Sequence, residues 1–327
     1  MSSSTSAFPV LVIPSIPAHG NRPLGVTLMI LPPALMLWGL KRVVANEKRH
    51  SRSPFSDKLL RPPGESLRIK VTELEDQLND VLVSLVFTLI SPGIFLLVIA
   101  KFPLVLVILA MVIASGMGWG FAWKYWKRLL RIRRDLRNYR LGFDGERCVG
   151  AELTPLLAKG YSVYHDFVFD MRPGGEASNF NIDHIAIGPE GIFIIETKTK
   201  RKSLKPPINE LEPQQIAVEG KSRETTTLRF PDGSIDEKPI KQALRQSEQF
   251  YRWLKMPTIT QAEIRPIVVY PGWWIRSKNW DKLGVQSASK LADRLPALGK
   301  GRRLRSDEIK AIAARIEDKC RDIEGAR

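Results

Sequence analysis

Three side chains stand out by type and spacing: Asp183, Glu196 and Lys198, in the stretch NIDHIAIGPEGIFIIETKTK at 181–200. That stretch reads as two apolar, β-branched runs joined by Gly188-Pro189-Glu190-Gly191, the pattern of a β-hairpin. Pairing Ile187 with Ile192 across the turn sets Asp183 opposite Glu196, with Cβ atoms about 5 Å apart on one face. Like charges so opposed are destabilising unless a cation lies between them. Alternation puts Lys198 on the face of Glu196 and Thr197 on the other. A one-residue slip would undo the cross-strand match and leave only Glu196 with Lys198. Hard oxygen ligands of this kind suit Mg²⁺ or Mn²⁺, held by Asp183 and Glu196. The lysine can orient a water or stabilise charge developing on a phosphate. Hydrolysis of a phosphodiester needs those parts; a solvated strand end with an ordinary salt bridge would use the same residues.

The elements around the hairpin must position these groups. Asp144 can cap a helix running from Gly145 to Lys159, whose apolar stripe is Val149, Leu153, Leu156 and Leu157. Glu146 falls on that stripe, where a carboxylate is costly unless paired, although a first-turn glutamate also favours the helix dipole. The strand YSVYHDFVFD and the loop MRPGGEASNF lead into the hairpin. Downstream, KPIKQALRQSEQFYRWL at 238–254 is an amphipathic helix. Its Gln242 can bind a phosphate or hold a catalytic carboxylate, while Gln246 and Gln249 read as a polar face in water. His184 alternates away from Asp183 and reads as a packing residue; His165 has no identifiable partner. Residues 199–237 read as a polar insertion, either a flap over substrate or a disordered loop. Its basic start, KTKRKSLK, suits a phosphate backbone or serves solubility. Ser306 can cap a terminal helix with Ile309, Ile312, Ala313 and Ile316 buried.

The first 140 residues differ in character. Of the chain's 327 residues 44% are hydrophobic, and the apolar ones concentrate before position 125. The runs 81–100 and 104–123 are each long enough to cross a bilayer core of roughly 30 Å, and they are separated by a minimal turn. Lys and Arg crowd the flanks at 41–53 and 124–140, which by the positive-inside tendency are cytoplasmic. Trp119, Trp123, Tyr125 and Trp126 suit an interfacial belt. A shorter run at 24–40 holds Pro32-Pro33 and could span, re-enter or lie on the surface. Residues 41–66 read as a linker and 67–80 as a short amphipathic helix. The net charge of +16 asks for an anionic partner, nucleic acid or phospholipid. Cys148 and Cys320 support neither a disulfide framework nor a cysteine zinc site.

Four segments in order resemble the NERD (nuclease-related) domain, whose fold is related to the PD-(D/E)xK, restriction-endonuclease-like, nucleases. They are GFDGERCVGAELTPLL at 142–157, the hairpin at 181–200, the helix at 238–254 and the strand IRPIVVY at 264–270. The likeness covers about 142–270. It implies active-site positions for Asp183, Glu196 and Lys198, the first-helix acidic position for Glu146, and the downstream glutamine for Gln242.

The expected architecture is therefore α/β: a restriction-endonuclease-like mixed sheet flanked by helices at 141–327, preceded by transmembrane α-helices in a membrane region at 1–140. The expected function is a metal-dependent nuclease acting on nucleic acid, DNA in the first instance, held at the inner (plasma) membrane with its C-terminal domain cytoplasmic. A homodimer would be needed for a double-strand break in one event. A membrane-anchored nucleic-acid or partner-binding module with the same fold and little catalysis fits the charge equally well. A channel or transporter is disfavoured, since the spans carry no Asp, Glu, Arg or His.

Overall fold

The computed structural model describes residues 42, 59–99, 102–169, 181–220, 222, 225–254, 263–276 and 284–321. The apolar run at 24–40, linker residues 43–58 and the loop at 170–180 lie outside them.

Helix α1 (Glu65–Ile99) merges the amphipathic segment and the first apolar run into 35 residues. Helix α2 (Leu104–Leu153) runs for 50 residues, about 75 Å at the usual rise. The sequence expectation of a separate helix capped by Asp144 is corrected here. Residues 124–144 are dominated by Arg, Leu, Lys and Ile, good helix formers that give the helix no reason to stop. Asp144 is an exposed position inside the helix. The stop comes at Pro155, where the chain tightens into a 3₁₀ turn (Thr154–Lys159), and this change of pitch leaves Leu157 exposed while Leu153 and Leu156 stay buried.

Both helices are long and apolar enough to cross a membrane. Val83, Phe87, Leu89, Val105, Val112 and Trp119 are each more than half exposed, a surface that water does not favour. Past this region Leu74 and Val81 of α1 pack against Leu129, Ile132 and Leu136 of α2.

The rest forms a mixed α/β domain. Strands β1 (Ser162–Val168), β2 (Asn181–Gly188) and β3 (Gly191–Thr197) are an antiparallel meander, and β7 (Ile264–Tyr270) and β9 (Val285–Ser287) add in parallel, in the order β1-β2-β3-β7-β9. On one face α2, the 3₁₀ turn and α4 (Leu291–Leu298) bury Val149, Leu153, Phe193, Ile195, Ile267 and Leu295. On the other, α3 (Lys238–Leu254) and α5 (Ser306–Glu317) bury Ile185, Ile187, Ile192, Ile194, Phe250 and Ile312. The 199–237 segment holds a second sheet: β4 (Gln215–Glu219), β5 (Thr227–Arg229) and β6 (Ile235–Asp236) join β8 (Trp274–Arg276) in the order β6-β5-β4-β8. Ile216, Leu228 and Phe230 hold it against Ile240 of α3 and Tyr270 of β7, so the described part of this segment is ordered by packing.

Ser306 is the first residue of α5, and the cap is Arg305, whose backbone N–H donates to Glu308 at 2.8 Å.

Candidate functional site

The hairpin has the register its turn demands. Gly188 faces Gly191 across Pro189-Glu190, and Ile187 pairs with Ile192 up to His184 with Ile195. Gly188 cannot carry a side chain, since a Cβ there would lie 2.2 Å from the Tyr161 ring. One step beyond His184, the Asp183 carboxylate accepts from the Thr197 N–H at 2.7 Å. Asp183 and Glu196 are both buried, at 6% and 2% exposure. Lys198 extends from the strand end to Glu196 Oε1 at 2.5 Å and keeps about a third of its side chain open to solvent.

Helix α3 closes the cluster from above. It is the crossover between β3 and the parallel strand β7, a connection that lays a helix across the sheet face. Gln242 Nε2 donates to Glu196 Oε1 at 2.7 Å, and Gln246 Nε2 donates to Glu196 Oε2 at 2.5 Å and to the Asn181 carbonyl at 2.9 Å. Gln246 is wholly buried, not part of a wet face as its sequence position implied, because this turn of α3 lies over the strand end. The sequence signal for it was the i, i+4 spacing from Gln242.

Helix α2 supplies Glu146, 7% exposed. Gly145 lets α2 approach this closely, since a Cβ there would sit 2.2 Å from the Thr199 side chain. Burial, then the charges of Asp166 and Glu196, push the Glu146 carboxyl up to about 8, with Lys198 opposing. Burial, then Glu196 and Glu146, hold Asp183 well above the usual carboxylate range against the Thr197 N–H and Lys198. Burial would lower the Lys198 ammonium, but Glu196, Asp183 and Glu146 outweigh it and raise it above its ordinary value. Lys198 is thus a fixed cation and not a base. All five sequence-predicted residues, Glu146, Asp183, Glu196, Lys198 and Gln242, meet at one end of the β2–β3 hairpin.

Behind them, on the other side of the sheet, His184 Nε2 lies 3.1 Å from Thr197 Oγ1 and its Nδ1 lies 2.8 Å from His165 Nδ1. His165 therefore has a partner, one that only strand pairing reveals. Burial lowers His165 to about 4, and burial with the neighbouring His165 holds His184 well below the usual imidazole range, so the pair is neutral and structural.

Asp166 had no sequence signal. It sits at φ +52° in β1, 1% exposed, and its carboxylate takes the Ser66 N–H at 2.9 Å, the Ser66 hydroxyl at 2.7 Å and Asn181 Nδ2 at 2.9 Å. Ser66 is the second residue of α1, so Asp166 caps that helix from the domain side. The strap before α1 is tied down too: the Arg61 N–H donates to the Cys320 carbonyl, and Pro63 lies where a Gly150 Cβ would stand.

The oxygen donors fit a hard divalent cation, since burial and neighbouring carboxylates disfavour ionisation of Asp183 and Glu146 and a cation beside them would offset that. As the side chains stand, no group of three His, Cys, Asp or Glu is close enough to hold a metal among the described residues. Glu196 is engaged instead by Lys198, Gln242 and Gln246.

The class these features define is a mixed α/β domain with a buried carboxylate and lysine cluster at one sheet end, joined to two long apolar helices. The family model for the nuclease-related domain, NERD, matches residues 141–271, which contain the whole cluster. Neither the curated proteins nor the solved structures give a match.

Proposed function

We propose that this chain is a metal-dependent nuclease of the PD-(D/E)xK kind, anchored at the cytoplasmic face of a membrane by α1 and α2. The observation that carries this is the Glu196–Lys198 pair clamped by two glutamines beside buried Asp183, within the nuclease-related match. Asp183 and Glu196 would hold Mg²⁺ or Mn²⁺, with Glu146 behind them. When bound, the metal supplies Lewis-acid activation of water and neutralises charge on a phosphate.

The protein's own groups have separable tasks. Gln242 and Gln246 fix the Glu196 carboxylate so that it need not reorganise during reaction. Lys198 holds its proton on Nζ at the solvent-facing edge, where a phosphodiester would arrive, and stabilises the extra negative charge of a pentavalent phosphate. The Thr197 N–H holds Asp183 in place.

A second reading, a binding module with little catalysis, is favoured by the occupied oxygens of Glu196. The full chain in zwitterionic nanodiscs, incubated with supercoiled plasmid, linear DNA and RNA in Mg²⁺, Mn²⁺ or EDTA beside Lys198→Ala, separates the two. Metal-dependent cleavage lost in the variant supports the nuclease. Retention of nucleic acid without cleavage supports the binding module.

A further inference from the structure

The part of α2 between its apolar run and Glu146 carries a second feature with no part in the cluster described above. A groove of about 740 Å³ opens beside α2, lined by Arg133, Arg134, Arg137, Arg140 and Arg201 and by one carboxylate, Asp144. The spacing 133, 137, 140 repeats at one helical face. Arg140 is paired with Glu75 at 2.6 Å and Arg134 sits 3.6 Å from Asp135. Among the described residues Arg133 and Arg137 have no carboxylate partner. Arg201, from the segment after β3, donates to the Arg137 carbonyl at 2.7 Å and so brings a cation from the site's own loop onto the groove.

We infer that this arginine groove binds the phosphodiester backbone of the nucleic acid whose scissile phosphate lies at Lys198, an inference that rests on the membrane-anchored nuclease reading. Continuity is the first reason. Thr199 touches α2 at Gly145 and Arg201 reaches Arg137, so the chain after Lys198 runs along α2 toward the groove. Arg201 is three residues from Lys198, at most about 10 Å of extended chain, which matches about three base-pair steps of duplex at an axial rise of about 3.4 Å.

The second reason is distance from the membrane. Counting from Trp123 at the interface, α2 rises about 15 Å to Arg133 and about 26 Å to Arg140. A headgroup layer is only about 5–8 Å deep on each side of the hydrocarbon. Lys124, Lys127, Arg128 and Arg131 fall within or just beyond it, while the groove arginines stand clear. The anion they meet is therefore a strand crossing from the membrane side to the cluster, not a lipid phosphate.

The test uses the full chain in phosphatidylcholine nanodiscs, in EDTA, titrated with a fluorescent DNA oligonucleotide and an RNA of the same sequence across a salt series. Arg133→Gln/Arg137→Gln is expected to weaken binding about tenfold and to reduce the slope of log affinity against log salt by roughly two, with the melting temperature unchanged. Arg201→Gln alone, an exposed position, should weaken binding in the same direction. Identical affinity and slope in variants and wild type overturn the groove while leaving cleavage, read separately by Lys198→Ala, as it was. Binding lost in the variants of a chain that cuts nothing supports the groove and removes the nuclease. If the double variant changes only the response to phosphatidylglycerol nanodiscs, the arginines serve lipid and the inference falls. A wild-type chain that binds neither oligonucleotide overturns the groove, and cleavage in Mg²⁺ or Mn²⁺ then decides the nuclease by itself.

Discussion

Gln246 donates to Glu196 Oε2 at 2.5 Å from a wholly buried position, fifty residues along the chain from the carboxylate it holds. Gln242 holds the other oxygen from one turn earlier. The two amides make one clamp, but their surroundings differ. Gln246→Leu should cost about 1–3 kcal/mol, because it strands a buried carboxylate oxygen and the Asn181 carbonyl. Gln246→Glu should cost more by setting a second carboxylate against the first. Gln242, half-buried, should cost under about 1 kcal/mol when changed to Ala. Denaturant unfolding of the three variants checks the order, and equal losses for Gln246→Leu and Gln242→Ala would show that no such difference exists.

Lys198→Met keeps the stem and removes the charge. Metal-dependent cleavage should fall by about 10²–10³-fold, the scale of losing one preorganised group facing developing charge. Lys198→Arg should restore part of it. Single-turnover rates measure the effect, and undiminished cleavage by the methionine variant would falsify the assigned role.

Glu146 links stability to pH. Its folded pKa, about 8, lies above the ordinary carboxylate value, so the folded state binds a proton that the unfolded state has released. That contribution is fully present below about pH 4.5 and is lost as pH rises through about 8. Without metal, Glu146→Gln should melt roughly 5 °C above wild type at pH 8.5 and close to it at pH 4.5. Mg²⁺ should raise the wild-type melting temperature more at pH 8 than at pH 6, because protons on Asp183 and Glu146 compete with it. Asp183→Asn should abolish that increment. Calorimetric or fluorescence melts across the two pH values decide it.

Ser66 ties α1 to the domain through Asp166. Ser66→Ala removes the hydroxyl but keeps the N–H, and should cost about 1–2 kcal/mol while speeding amide exchange in 59–66 before the sheet. Asp166→Asn, which tolerates the left-handed backbone, should do the same; Asp166→Val should be far worse. Hydrogen exchange read by mass spectrometry distinguishes a local release from global loss.

The sequence by itself determined what short-range pattern and backbone geometry dictate. The Gly188-Pro189-Glu190-Gly191 turn and the period-two apolar alternation fix the β2–β3 register, and with it the meeting of Asp183, Glu196 and Lys198. The extent of α3 follows from periodicity, and the presence of two apolar runs, though not the full length of the helices that contain them, follows from composition. Only the tertiary structure decided which polar groups are buried partners. Gln246 looks like Gln249 in sequence and differs because the crossover lays one turn of α3 on the strand end. Asp166 and Ser66, and His165 and His184, meet through contacts between distant segments that no local spacing encodes. The continuity of α2 from the apolar span to Glu146 was likewise hidden by two glycines and a plausible cap. Where solvated and buried positions share one amino-acid pattern, burial alone tells them apart, and burial is a property of the assembled chain.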